Sequence, residues 1–266
     1  MRGGAQSHLL EADDGNYYVV KFLNNPQHRR VLINELVASC FLRYLQIATQ
    51  EAAIISVGEE FLAESPGLYI ELGSRRDPVK PGWHFGSRFP GDPARLAVYD
   101  FFPDAMLRQV TNLNHFLGVL VLDKWMANAD ARQSIYFRAR VSEWAASGGA
   151  DRRKQGFIAS MIDHGFMFNG PHWEFLDGPL QGLASRPLVY HPASSLDDFQ
   201  PWLDQVVHFP EELVDQARRQ IPPQWLDGDE PALDVLLERL LRRRKSVPDL
   251  IDSCRRARAA LFPNWK

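Results

Sequence analysis

The stretch Phe157-Ile158-Ala159-Ser160-Met161-Ile162-Asp163-His164-Gly165-Phe166 decides how the rest of the chain is read. Its opening run to Ile162 is apolar and of strand length, and the Asp-His-Gly that follows breaks it. A carboxylate set down at a strand end and released by a glycine is placed to hold a hard divalent cation, which takes oxygen ligands. Alone, the same tripeptide is an ordinary strand-ending turn. The flanking sequence has to choose.

Upstream, Ser134 to Val141 alternates like a second strand, so the two runs predict a hairpin around Ser147-Gly148-Gly149-Ala150. Ahead of it, Thr111 to Ala127 reads as a buried helix, with Val110-Thr111-Asn112 offering caps before Leu113, Phe116, Leu117, Leu120 and Val121. The helix closes on Leu122-Asp123-Lys124-Trp125-Met126-Ala127-Asn128-Ala129-Asp130-Ala131-Arg132-Gln133. Carboxylates, an amide and basic groups at the end of an apolar helix are costly to bury unless they bind something polar. Asp130 is the candidate catalytic base. The competing reading is a solvated turn in which Asn128 and Asp130 make only turn hydrogen bonds.

At the other end of the chain, His8 to Ala12 and Tyr17 to Phe22 read as strands joined by Asp13-Asp14-Gly15-Asn16, a hairpin-turn signal. Val31, Leu32, Leu36, Val37, Cys40, Phe41, Tyr44 and Leu45 then recur at helical spacing. Lys21 is a lone cation in its strand, and Glu35 follows 14 positions later on that helix. A strand lysine paired with a helix glutamate fixes the α- and β-phosphates of ATP in phosphotransferases; the alternative is an edge lysine that blunts a sheet. Gly3-Gly4-Ala5-Gln6-Ser7 lets backbone N–H groups approach phosphate oxygens, or is a flexible turn. Ala53 to Val57 and Leu68 to Leu72 complete a small sheet.

Gly73 to Pro93 is rich in Gly, Pro, Arg and aromatic residues and predicts a long loop. The expected division is therefore an N-lobe at 1–73, a connecting loop at 74–95 and a C-lobe at 96–266. The tail from Leu196 reads as helical, broken at Pro210 and Pro222-Pro223, with Arg242-Arg243-Arg244-Lys245 as a solvated face.

With 266 residues, 45% of them hydrophobic and 24% charged, the chain can bury a sizeable core. A net charge of −3 argues against a broad grip on nucleic acid. Cys40 and Cys254 stand far apart, which supports neither a disulfide framework nor zinc, and a cytoplasmic setting is expected. No apolar run reaches the ~18 residues of a membrane span, so no membrane partner is expected.

The glycine segment, strand lysine, helix glutamate, acidic loop and strand-end Asp-x-Gly stand in the order a phosphotransferase needs. On Gly4-Ala5-Gln6, Val20-Lys21-Phe22, Asn34-Glu35-Leu36, Asp123-Lys124-Trp125 with Asn128-Ala129-Asp130, and Ile162-Asp163-His164-Gly165, the chain resembles the HipA-like kinase family. That family is distantly similar to phosphatidylinositol kinases, and the resemblance covers nearly the whole chain.

The resemblance implies an α+β, bilobal protein-kinase-like fold, with a small β-sheet lobe carrying one helix and a larger, mainly helical lobe. It implies ATP and Mg²⁺ as cofactors. Gly4, Ala5 and Gln6 would cover the phosphates, Lys21 would bind them with support from Glu35, and the adenine would lie near Glu71 and Leu72. Asp130 would orient the acceptor and Asp163 would hold the metal. One departure stands out: the family places a metal-binding asparagine five residues after the catalytic aspartate, where this chain has Ile135, with Gln133 or Ser134 as substitutes. The expected activity is transfer of the ATP γ-phosphate to a hydroxyl, foremost a Ser or Thr of a protein. A nucleotide-binding pseudokinase acting through a partner and a small-molecule kinase are the alternatives.

Overall fold

The computed structural model describes residues 4–144 and 154–266. The turn expected at Ser147 to Ala150 and Gly3 of the glycine segment lie outside the described residues.

The chain opens with strands β1 (His8–Glu11) and β2 (Tyr17–Lys21), paired antiparallel. Their turn is closed by Asp14, whose carboxylate accepts from the Asn16 N–H (2.9 Å) and the Tyr18 hydroxyl (2.8 Å). Helix α1 (Arg30–Tyr44) follows and is buried along nearly its whole length. Strand β3 (Ala52–Val57), a short helix α2 (Glu59–Glu64) and strands β4 (Tyr69–Leu72), β5 (Arg75–Pro78) and β6 (Gly82–Arg88) complete this part.

The main sheet has the order β1-β2-β6-β3, while β4 and β5 form their own hairpin. Two expectations are thereby corrected. Residues 74–95 are not a connecting loop: β6 is an inner strand, with Phe85 opposite Lys21 on one side and Ile54 on the other. Gly86 misled because its glycine serves packing instead of a turn; a Cβ there would press into Ile55. The run ending at Leu72 leaves the main sheet and joins β5 instead. Tyr18, Val20, Phe22, Ile70 and Val79 fill the space between the sheet and that hairpin.

Strand β7 (Val98–Tyr99), helix α3 (Asp104–Leu107) and helix α4 (His115–Trp125) come next, then strands β8 (Gln133–Arg140) and β9 (Gln155–Ile162). β7, β8 and β9 form an antiparallel sheet in that order, with Gln133 opposite Ile162. Helix α4 begins later than its sequence predicts, because Asn112 does not cap it. The Asn112 amide instead donates to the Ala159 carbonyl (2.8 Å) and accepts from the Ala159 N–H (2.9 Å), pinning β9.

The remainder is helical: α5 (Pro187–Tyr190), α6 (Trp202–Val207), α7 (Glu211–Gln220), α8 (Pro223–Leu226), α9 (Glu230–Arg243) and α10 (Val247–Ala257). One large core joins α1, α4 and these tail helices through Phe41, Trp125, Phe209, Leu240 and Ile251. The arginine run does not form a uniformly solvated face. Arg243 donates to the carbonyls of Trp125 (2.9 Å) and Lys124 (3.1 Å) and pairs with Asp177, so it staples the tail to α4.

The architecture is thus an N-terminal sheet with its helix, followed by a mostly helical part, as expected for the α+β class.

Candidate active site

Lys21 ends β2 on the face that looks toward α1, and alternation along the strand puts Val20 on the opposite, sheet-core face. Its ammonium donates to Glu35 of α1 and to Asp163 Oδ1 at 2.7 Å. Glu35 is fully enclosed, whereas the Asp163 side chain is 36% exposed. Burial pulls the Lys21 ammonium down, but the two carboxylates outweigh it and hold the group above its ordinary value. Burial pushes the Glu35 carboxyl up. For Asp163 burial acts upward too, but Lys21 beside it prevails and keeps the carboxyl below the usual range.

Asp163 directly follows β9 and takes left-handed backbone angles (φ 58°), a conformation that Asp tolerates better than most residues. Gly165, two residues on, is required by close approach: a Cβ there would overlap Val31 of α1 and stand 3.4 Å from Glu35 Oε1. Asn34 completes this junction. Its amide donates to the carbonyls of Gly165 (2.8 Å), Met167 (3.0 Å) and Gly170 (3.0 Å), and its oxygen accepts from the Trp173 indole (2.9 Å).

Gln133 opens β8 beside the strand end that delivers Asp163. Its amide nitrogen donates to Asp163 Oδ2 at 3.0 Å and lies 3.5 Å from Asp130 Oδ2. Five side chains therefore form one continuous chain of contacts, Glu35, Lys21, Asp163, Gln133 and Asp130. Ser134 points to the other face of β8, where its hydroxyl donates to Tyr136 (3.0 Å). Gln133 and Ile135 share a face because strand side chains alternate. The amide nearest Asp163 on that face is therefore Gln133, two residues before the aliphatic Ile135.

Asp130 is exposed, and its loop is built from below. Arg132 and Asp123 form a forked ion pair with no solvent exposure of either side chain. Asn128 donates to Asp123 Oδ1 (3.0 Å) and accepts from the Asp130 N–H (3.1 Å). Arg132 also donates to the Ile162 carbonyl (3.0 Å) and to His164 Nδ1 (3.0 Å). Burial, Arg132 and Lys21 hold His164 far below its ordinary value, so the ring is neutral. Because Thr49 Oγ1 donates to the Met161 carbonyl (3.0 Å), the proton assigned to His164 Nε2 points at Thr49 (3.3 Å). Arg132, His164 and Asn34 escaped the sequence reading. All three stood inside the motifs that the sequence offers, but nothing in their spacing said what they touch.

Gly4, Ala5, Gln6, Glu71 and Leu72 form a second group. The Gln6 amide donates to the Glu71 carbonyl and accepts from its N–H, both at 2.7 Å, docking the glycine segment on β4. The Ala5 carbonyl accepts from Asn25 (3.4 Å), and a Cβ at Gly4 would press into Gln27. Leu72 is 45% exposed. Among the described residues no hydrogen bond joins this group to the Lys21 chain. Two large cavities, of about 540 and 630 Å³, open behind α1 and beside Arg88 to Asp92, and neither is lined by Lys21, Asp130 or Asp163. The contact chain thus lies apart from both cavities.

Among the described residues no helix is long and apolar enough to cross a membrane. Comparison with family models matches residues 1–136 to one described as HipA-like kinase. No curated protein matches. Among solved structures, the crystal structure of the Golgi casein kinase with Mn/ADP bound aligns with a TM-score of 0.50 at 13% identity, over 97% of this chain and 72% of that one. A second crystal structure of the Golgi casein kinase gives 0.48 at the same identity and coverage. At such identity the first likeness speaks for a kinase-like fold alone.

Proposed function

The chain belongs to the HipA-like kinase family, and from that premise we propose that it is an ATP- and Mg²⁺-dependent phosphotransferase acting on a hydroxyl, foremost a Ser or Thr of a protein. The observation that carries this reading is the buried ammonium of Lys21, shared between an enclosed Glu35 and a half-open Asp163. Glu35 keeps Lys21 oriented and charged. Asp163 is the exchangeable partner, since among the described residues its other oxygen meets only Gln133 and its side chain is partly exposed.

The donor set fits Mg²⁺. Among the described residues no group of three or more His, Cys, Asp or Glu could hold a metal, but Mg²⁺ at phosphates is ordinarily held by one or two carboxylates, with water and phosphate oxygens completing the shell. Asp163 is ionised at neutral pH, and Gln133 would turn its amide oxygen to the ion. Bound there, the ion would neutralise charge on the phosphates. Lys21 would bind phosphate oxygens, and the backbone at Gly4, Ala5 and Gln6 would cover them. Glu71 and Leu72, tied to Gln6, would neighbour the adenine. Asp130 would accept a hydrogen bond from the acceptor hydroxyl and take its proton as the oxygen attacks. In this reading the lobe boundary falls after β6 instead of at residue 73.

A thermal-shift titration with ATP, with and without Mg²⁺, followed by a γ-phosphate transfer assay, tests the assignment. Stabilisation by the nucleotide with turnover lost in folded Asp130→Ala and Asp163→Ala variants is expected. Unchanged turnover in both would remove it. Ile135 at the position of the family's asparagine favours one second reading, a pseudokinase, for which binding without transfer is the signature.

A further inference from the structure

Helix α1 is held at its first turn by a part of the chain that neither Lys21 nor Asp163 touches. Arg30 forms a forked pair with Asp229, its Nε 2.8 Å from Oδ2 and its Nη2 2.5 Å from Oδ1. Arg29 adds contacts to the carbonyls of Leu226 (3.2 Å) and Asp227 (3.3 Å) and to Asp229 Oδ2 (3.3 Å). The Asp229 side chain is only 16% exposed. It occupies the N-cap position of α9, where an aspartate ordinarily accepts from the helix N–H groups, yet it makes no capping bond. Its carboxylate is diverted to α1.

Arg30 joins three parts of the molecule. Besides Asp229, it donates to the Pro171 carbonyl (2.9 Å) and lies over the Trp173 ring at 4.2 Å. Trp173 in turn donates to Asn34, which holds the carbonyls that follow Asp163. The tail also reaches the main sheet, since the Trp225 indole of α8 donates to the Trp83 carbonyl of β6 (2.7 Å). The α8–α9 corner therefore straddles both α1 and the sheet carrying Lys21. Glu35 stands five residues beyond Arg30 on the same rigid helix, about 7.5 Å along its axis. A shift of the first turn would move Glu35 relative to both Lys21 and Gly165.

We propose that Asp229, acting through Arg30, is a positioning residue for phosphate binding: the α8–α9 corner clamps α1 and sets Glu35 against Lys21. This rests on the phosphotransferase reading above. It assigns to the tail the placement of Glu35, which neither Lys21 nor Glu35 secures alone.

The test uses the full chain with Asp229→Asn, Asp229→Glu, Glu35→Gln and the Asp229→Asn/Glu35→Gln double variant. Mg·ADP affinity is read by calorimetry, and hydrogen exchange by the α1 amides in the absence of nucleotide. Asp229→Asn, isosteric and half-buried, is expected to weaken Mg·ADP about tenfold and to speed exchange in α1, with Asp229→Glu restoring most of both. In the Glu35→Gln background the Asp229→Asn loss is expected to shrink, because the two residues act through one pair. Full additivity, or faster exchange with undiminished affinity, would make Asp229 a mere structural tether and overturn the proposal. Unchanged α1 exchange would overturn the clamp itself without reference to nucleotide. Absence of Mg·ADP affinity in the wild type would instead overturn the phosphotransferase reading and the positioning role with it.

Discussion

Two ion clusters adjoin through His164 and Gln133, and they are built to opposite ends. Asp123 and Arg132 are wholly enclosed; the guanidinium forks onto one carboxylate, and Asn128 supplies a further donor. Nothing there is left to offer a ligand. Lys21 instead divides one ammonium between Glu35 and Asp163, and the second carboxylate remains 36% exposed. A saturated pair fixes geometry, whereas a divided one keeps a bond that phosphate or metal can replace. The two meet through His164 and Gln133, so the closed cluster sets where the open one points.

The sharpest way to break this contrast is to remove the exchangeable carboxylate. Asp163→Ala is expected to fold and to lose phosphoryl transfer by about 10³-fold or more, measured by γ-phosphate transfer, as when a group aimed at developing charge is deleted. The closed cluster should answer in stability. Asp123→Asn strands a buried guanidinium and is expected to cost about 3–5 kcal/mol in denaturant unfolding. If it is neutral, the pair is not a scaffold.

Gly165→Ala tests the seam between the clusters. The added methyl overlaps Val31, so a loss of about 1–3 kcal/mol is expected, with α1 pushed from Asp163. Gln133→Ala should leave stability nearly unchanged while weakening Mg²⁺-dependent nucleotide binding about tenfold, read by calorimetry at varied Mg²⁺. The smallest effect is on acid stability. Because Lys21 keeps the Asp163 carboxyl below its unfolded value, the unfolded chain binds the proton more readily. That contribution is present above an unfolded pKa of about 3.9 and lost as the pH falls through the lower folded value. Asp163→Asn should flatten the decline in stability below about pH 4, seen by urea titration across the acid range.

Much of this was legible in the residues themselves. The β1–β2 turn followed from Asp14 and Gly15, and the pairing of Lys21 with Glu35 from a strand and a helix in succession. The β8–β9 hairpin and the placement of Asp163 at its end followed from an apolar run that stops. What misled was glycine. Gly82 and Gly86 suggested a loop, yet they lie in an inner strand, Gly82 opening it at a positive φ of 142° and Gly86 closely covered by Ile55 of the neighbouring strand. Asn112 looked like a helix cap and serves a distant strand instead. Ile135 stood where the resemblance expects an asparagine, with Gln133 and Ser134 as substitutes, and only the fold separated these two: Gln133 meets Asp163, while Ser134 turns to Tyr136.

By itself, then, the sequence determined most of the elements and their order, and pointed to the acids and the cation that stand in contact, because periodicity, turn residues and charge placement are local properties of a chain. The tertiary structure alone decided which polar groups are spent on one another, Asp123 on Arg132 and Asp229 on Arg30, and which, like Asp163, stay partly open to solvent. Partner choice depends on distances between residues up to 200 positions apart, and only burial, which removes water as the competing partner, makes that choice permanent.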